Sequence, residues 1–240
     1  MLKDIQKAGG WTQLNHVATC PSSEPFCVRT CRGCPWDYSA KKTRYKHVDA
    51  IEVASGPAQL FGATNIFSVA AIAFWEEQLA DGRRIAAVGS SDSHRAGRTE
   101  SDTQSPIGTA ATIVYAENLS EQAIADGVRA RHTYVKIFGS AAPDLRFEAR
   151  VPGDDTVWIM GDVVKKRCSG FTARVLGAPE GGSFTLHIVK DGVLGPGTSV
   201  PAGDSEHSFP ATGKGRYRLE LRRGEEIHVL TTPIWIEKNC

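Results

Sequence analysis

The chain of 240 residues lacks any excess of charge of one sign: 28 lysines and arginines stand against 27 aspartates and glutamates, a formal net charge of +1. That balance supplies no general field for nucleic acid or an anionic membrane, so neither is an expected partner. No run reaches the ~18 consecutive apolar residues of a membrane span. The N-terminus, MLKDIQKAGG, carries an acidic residue and no apolar core behind it, which is not the pattern of a signal peptide. A soluble protein of unassigned compartment is expected. There is no G-x-S-x-G elbow, no P-loop and no dinucleotide fingerprint, so the usual serine-hydrolase, nucleotide-phosphate and Rossmann sites are not indicated. Internal repeats and low-complexity tracts are also missing. What remains is ordinary folded composition, 41% hydrophobic and 23% charged, in a chain long enough for two domains.

The pattern changes near residue 142. Before it, short apolar runs alternate with helical stretches. Residues 1–8 read as a helix stopped by Gly9 and Gly10, and 11–15 as a short strand delivering His16. Residues 17–47 read as a long polar loop, and DAIEVA at 49–54 as a second strand. NIFSVAAIAFWEEQLA at 65–80 reads as a helix capped by Thr64 or Asn65; it is apolar nearly all round, so wide burial is expected. Further strands are expected at 84–89, 111–116 and 131–139, with a helix at 119–126 capped by Ser120. Strands alternating with helices argue a parallel sheet or part of a barrel. After residue 142, about seven alternating segments broken by Gly, Pro and Asp read as an immunoglobulin-like β-sandwich. The expected fold is therefore an α/β partial barrel over 1–142 followed by an all-β sandwich over 143–240.

The stretch with most chemistry is Ser90-Ser91-Asp92-Ser93-His94-Arg95, directly after the apolar run 85–88. A carboxylate and an imidazole two residues apart at a strand exit can hold a divalent metal or orient an activated water. The alternative is a hydrogen-bonded turn in which Asp92 serves only the backbone. His16 follows another strand end and is a candidate ligand or base. Glu52 lies inside its strand, on the opposite face from Ile51 and Val53, and can point into a polar centre. Arg95 is a candidate to meet developing negative charge. His132 and Lys136 are weaker candidates for the same centre, whereas His47, His187, His207 and His228 read as surface or sandwich residues.

Two clusters stand apart. Cys20, Cys27, Cys31 and Cys34 are spaced C-x6-C-x3-C-x2-C, with Cys168 and Cys240 distant. The four suit a zinc knuckle, disulfides or free thiols, and the spacing leaves all three open. Lys41-Lys42-Thr43-Arg44-Tyr45-Lys46 reads as a solvated loop or as the rim of an anion-facing mouth.

LNHV at 14–17, DAIEVASG at 49–56 and GSSDSHRAG at 89–97 resemble the polymerase and histidinol phosphatase (PHP) superfamily, within its carbaryl-hydrolase-like branch. SPIGTAATIVYAENLS at 105–120 and GVRARHTYVKIFG at 127–139 are similar to that branch too. The resemblance implies a distorted (β/α) barrel that binds metals at the C-terminal ends of its strands. It implies His16, Asp92 and His94 as ligands of zinc or manganese, and Glu52 at a familiar carboxylate position. The chain departs from the family in having no H-x-H motif and no histidine before His16, and Val17 stands where a proline is common. It looks like the second half of a PHP barrel plus its sandwich, which implies a homo-oligomer that completes the partial barrel.

The activity expected from these residues is hydrolysis of small carboxyl or carbamate esters, through a water activated by a metal or by histidine. A PHP-type phosphoesterase and an inactive binding or assembly module are the alternatives.

Overall fold

The computed structural model describes residues 2–18, 36–94, 105–167 and 170–238. All six cysteines and Arg95 lie outside the described residues. The first helix, Leu2–Lys7, ends where Gly9 takes a φ of 85° and Gly10 N–H donates to Ile5 O at 3.0 Å. Glycine enters that left-handed region without a Cβ penalty, so the stop is written into the Gly-Gly pair.

Three strands, β1 (Gln13–Leu14), β2 (Ala50–Ser55) and, after a hairpin, β5 (Ala86–Ser90), form a parallel sheet in the order β1-β2-β5. The hairpin is β3 (Gln59–Leu60) and β4 (Ala63–Thr64), turned by Phe61 and Gly62, both at positive φ. Within the stretch 17–47, the chain winds into a short helix at Ala40–Thr43 and a 3₁₀ turn at Tyr45–His47.

The helix Ile66–Ala80 joins β2 to β5 and is capped by Asn65, whose side-chain oxygen accepts from Phe67 N–H at 3.0 Å. The Asn65 amide donates to Ser55 O and Pro57 O, which ties the cap to the end of β2. Wide burial of this helix is not what the fold provides. Only Ser68, Ala71, Trp75, Gln78 and Leu79 are buried, while Ile66 and Val69 are 67% and 54% exposed. A helix lying against one side of the molecule covers a single stripe, and nothing among the described residues covers its outer turns.

Strands β6 (Ala111–Val114) and β7 (Thr133–Lys136) flank the helix Glu121–Arg129, which Ser120 caps. They do not extend the parallel sheet. They pair antiparallel with each other, and β7 pairs antiparallel with β16 (Glu226–Thr231), so one sheet runs across the expected 142/143 boundary. A hydrophobic pattern reports which face is buried and is the same for either strand direction. The direction here comes from a partner strand some ninety residues later.

The remaining strands are β8 (Asp144–Arg150), β9 (Trp158–Ile159), β10 (Val163–Val164), β11 (Gly170–Ala178), β12 (Phe184–Lys190), β13 (Val193–Val200), β14 (Gly203–Pro210), β15 (Gly215–Arg223) and β17 (Ile234–Ile236). A four-stranded sheet β14-β11-β8-β9 faces an eight-stranded sheet containing β6, β7, β10, β12, β13 and β15 to β17. Leu145, Phe147, Phe171 and Val175 pack there against Leu186, Tyr217, Leu221 and Val229.

Strand alternation gives the large sheet a second working face. On β15, Tyr217, Leu219 and Leu221 enter the sandwich core, while Arg216 and Arg218 reach Glu76 of the helix Ile66–Ala80. Val135, Ile137, Leu230 and Trp235 join the core beneath that helix and the parallel sheet. The molecule is thus layered as small sheet, large sheet, and parallel sheet with helix. Among the described residues, no helix is long and apolar enough to cross a membrane.

Candidate functional site

Parallel pairing brings the C-terminal ends of β1, β2 and β5 to one edge, where α/β sheets place their ligands. Leu14 pairs with Ile51, and Ser55 with Ser90, so His16 and Asp92 leave the sheet side by side. The β2–β5 register slips around Val53, since Glu52 faces Val88 while Ala54 faces Gly89. Such a bulge re-aims side chains locally.

Four of the five candidates from the sequence meet here. Glu52, whose side chain is 1% exposed, accepts from His16 N–H at 2.9 Å through Oε2 and from Ser90 Oγ–H at 2.7 Å through Oε1. His16 Nε2 lies 3.7 Å from Glu52 Oε2 and 3.8 Å from Asp92 Oδ1. His94 Nε2 is hydrogen-bonded to Asp92 Oδ1 at 3.2 Å. Arg95, the fifth, lies outside the described residues. Asp92 therefore sits between two imidazoles, with a buried carboxylate behind His16.

The backbone is strained at the same two residues. His16 has a φ of 53° and Asp92 a φ of 47°. Non-glycine residues in this region cost on the order of 1 kcal/mol each, and such strain persists where surrounding structure enforces it, often at functional sites. The Glu52 bond to His16 N–H supplies part of that enforcement.

Two supporting residues escaped the sequence reading. Ser90, which the sequence marks only as part of the polar stretch 90–95, orients Glu52. Ser105 is buried and donates to Ser91 O at 2.6 Å, anchoring the turn that carries Asp92. Nothing local marks Ser105, because its partner is fourteen residues away.

The weaker candidates are engaged elsewhere. His132 bonds Asp162 at 3.0 Å, and Lys136 pairs with Asp144 at 3.0 Å on the sandwich side. His47 bonds Gln6, His187 bonds Gly195 O, and His207 bonds Ser205. His228 is buried between Phe138 and Phe184.

The zinc or manganese expected at His16, Asp92 and His94 asks for donors that close on one point. Tetrahedral ligands ~2.1 Å from zinc stand roughly 3.4 Å apart. The His94–Asp92 separation meets this, but the His16–Asp92 separation of 3.8 Å is longer, and among the described residues no group of three or more His, Cys, Asp or Glu side chains is arranged to hold a metal ion. The donors stand as a carboxylate–imidazole cluster in which His94 is hydrogen-bonded to Asp92 while the His16 ring lies beyond hydrogen-bond distance of either carboxylate.

Compared with known proteins, the chain matches no family model, no curated protein and no solved structure.

Proposed function

We propose that the chain is a hydrolase of small, uncharged carboxyl or carbamate esters that works through a histidine-activated water. The observation that carries this reading is the convergence of His16, Glu52, Asp92 and His94 at the ends of three parallel strands. With His94 Nε2–H donating to Asp92, Nδ1 presents a free lone pair to solvent. That nitrogen takes a proton from water as the water oxygen bonds to the carbonyl carbon. The tetrahedral adduct then expels the alcohol oxygen, which recovers the proton from the imidazolium. Asp92 holds the ring in the working tautomer and stabilises its positive charge, and Glu52 fixes His16 beside it. The likeness to the carbaryl-hydrolase-like PHP proteins points to the same substrate class.

Phosphate monoesters are the less favoured substrate. Glu52 and Asp92 place two carboxylates at the site, and a phosphate dianion approaching them is repelled.

The test combines metal content with p-nitrophenyl acetate hydrolysis before and after chelation. The expected result is hydrolysis that survives chelation and falls by about 10²-fold or more in His94→Ala and Asp92→Asn proteins that remain folded. Stoichiometric zinc or manganese whose removal abolishes activity moves the activating role from histidine to the metal. No hydrolysis in either state leaves the binding or assembly module as the reading.

The same proposal includes a homo-oligomer. Ile66 and Val69 expose an apolar helix face, and a second copy covering it removes that surface from water. Sedimentation of the native protein and of an Ile66→Glu/Val69→Glu variant tests this, and a native monomer refutes it.

A further inference from the structure

The other end of the parallel sheet carries a second, unassigned feature. A cavity of about 830 Å³ opens where the strands begin, beside Asp49 and Ile85, the residues that precede β2 and β5. Thr12 N–H is bonded to Asp49 and His16 follows four residues later along β1, so this cavity lies roughly 10–15 Å from His16, at the opposite end of the strands. A ligand bound there does not touch the proposed reacting atoms.

The lining is basic out of proportion to the chain. Seven lysines and arginines face it against a single carboxylate, Asp49, in a protein whose net charge is only +1. Asp49 is already committed to the fold: Thr12 N–H donates to it at 2.8 Å, and the Gln6 amide reaches both its oxygens. It has little capacity left to neutralise the cavity.

The cations divide into held and free groups. Arg83 is held by Gln78 and Asp81 and lies 4.3 Å over the Tyr45 ring, while Arg84 pairs with Glu237. Arg131 bonds backbone carbonyls of Arg129 and Gly161 and carries no ion pair among the described residues. Burial, and then the nearby Arg84 guanidinium, push its pKa below the ordinary arginine value. Lys3 has no ion-pair partner among the described residues, and neither have Lys41, Arg44 and Lys46. The last three come from the basic run at 41–46, which the fold turns about Arg44 at a φ of 54° so that these three line the cavity. Lys42, in the same run, does not line it.

Like charges gathered in a concave site, several of them without an ion-pair partner among the described residues, are the arrangement that attracts an anion. Guanidinium forks and lysine ammonium groups together match phosphoryl oxygens. The volume falls within the ~300–1,000 Å³ of small-molecule sites, which suits a compact ligand better than a polymer. We propose that this cavity binds a small polyanion bearing two linked phosphoryl groups, at a site separate from the carboxylate–imidazole cluster.

The experiment is calorimetric titration of the full chain with inorganic diphosphate. One saturable site is expected, with affinity that falls as salt rises. The Lys41→Ala/Arg44→Ala/Lys46→Ala protein is expected to bind at least about tenfold more weakly, since each charged hydrogen bond lost is worth more than a neutral one. Lys42→Ala is expected to bind within about twofold of the native chain, because an exposed charge outside the cavity contributes little. Should the triple variant fail to fold, Lys46→Gln alone is expected to weaken binding measurably. No saturable binding by the native chain overturns the proposal, as does equal weakening by Lys42→Ala. Tighter binding of an oligonucleotide or of anionic phosphatidylserine vesicles than of diphosphate also overturns it, in favour of a macromolecular surface.

Discussion

The Thr112 hydroxyl closes a two-way bridge to the backbone of Gly89, accepting from its N–H and donating to its C=O, both at 2.8 Å. Two residues along β5 the pattern recurs: Thr232 accepts from Ala87 N–H at 3.0 Å and Thr133 donates to Ala87 O at 2.8 Å. Threonine side chains of the antiparallel layer thereby satisfy the outer edge of β5, as a neighbouring strand otherwise does. The edge that ends in Asp92 and His94 is fixed to the large sheet by these bonds. Gly89 itself has no room for a side chain, since a Cβ there meets Val135 Cγ1 at 2.6 Å.

Thr112→Val keeps the shape and removes the hydroxyl, leaving two buried backbone groups unpaired. Stability is expected to fall by about 1–3 kcal/mol. Urea unfolding measures it, and an unchanged midpoint shows that the bridge contributes nothing.

Asp92→Gly separates chemistry from turn geometry. Glycine adopts the positive φ at position 92 without strain, so stability is expected to stay within about 1 kcal/mol of native. Esterase activity is expected to disappear, because His94 loses its carboxylate. Retained activity identifies Asp92 as a turn residue only.

Glu220 accepts from Arg218 and Arg222, each at 2.6 Å, in a buried chain that continues from Arg218 to Glu76. Burial alone raises the Glu220 pKa, but Arg218 and Arg222 together outweigh it and hold it below the ordinary glutamate value. Its stabilising contribution is therefore present above that ordinary value and is lost as pH falls through the depressed one. Glu220→Ala leaves Arg218 short of a partner in the interior and is expected to cost about 3 kcal/mol at neutral pH. Glu206→Ala, which breaks an exposed pair with Arg174, is expected to change the unfolding midpoint far less. Equal effects of the two exchanges on denaturant unfolding contradict this ordering.

His228 stacks on Phe138 at 3.9 Å between ring centroids, and neither ring nitrogen has a hydrogen-bond partner among the described residues. Burial lowers its pKa; Glu226 opposes that shift and Arg223 adds to it. The unfolded chain then binds the proton more readily, so stability is lost as pH falls below about 6.5, the ordinary histidine value. His228→Phe keeps the stack without the titration. Its unfolding free energy is expected to vary less steeply between about pH 6.5 and 5 than that of the native chain. Parallel slopes for the two proteins refute this role.

Much of the site was legible before folding. The apolar run into Ser90–His94 marks a strand delivering polar groups, and alternation sets Glu52 apart from Ile51 and Val53. A helix cap at Thr64 or Asn65 and the Gly9-Gly10 stop also follow from local preference, which acts within one turn of chain. Cap chemistry and residue alternation are properties of neighbouring residues, so the sequence alone determined these elements and the residue types at their ends.

Tertiary structure decided the rest, because it depends on partners far away in the chain. The antiparallel sense of β6 and β7 comes from pairing with β16, and the threonine bridges come from β6, β7 and the residue that follows β16. Ser105 reaches Ser91 across a long segment, and the exposed face of the helix Ile66–Ala80 reflects how little lies against it. The basic run at 41–46 joins Arg83, Arg84 and Arg131 in one cavity only because parallel pairing gathers the starts of β2 and β5. A local pattern shows which groups are to be buried or charged, and long-range packing selects which of them meet.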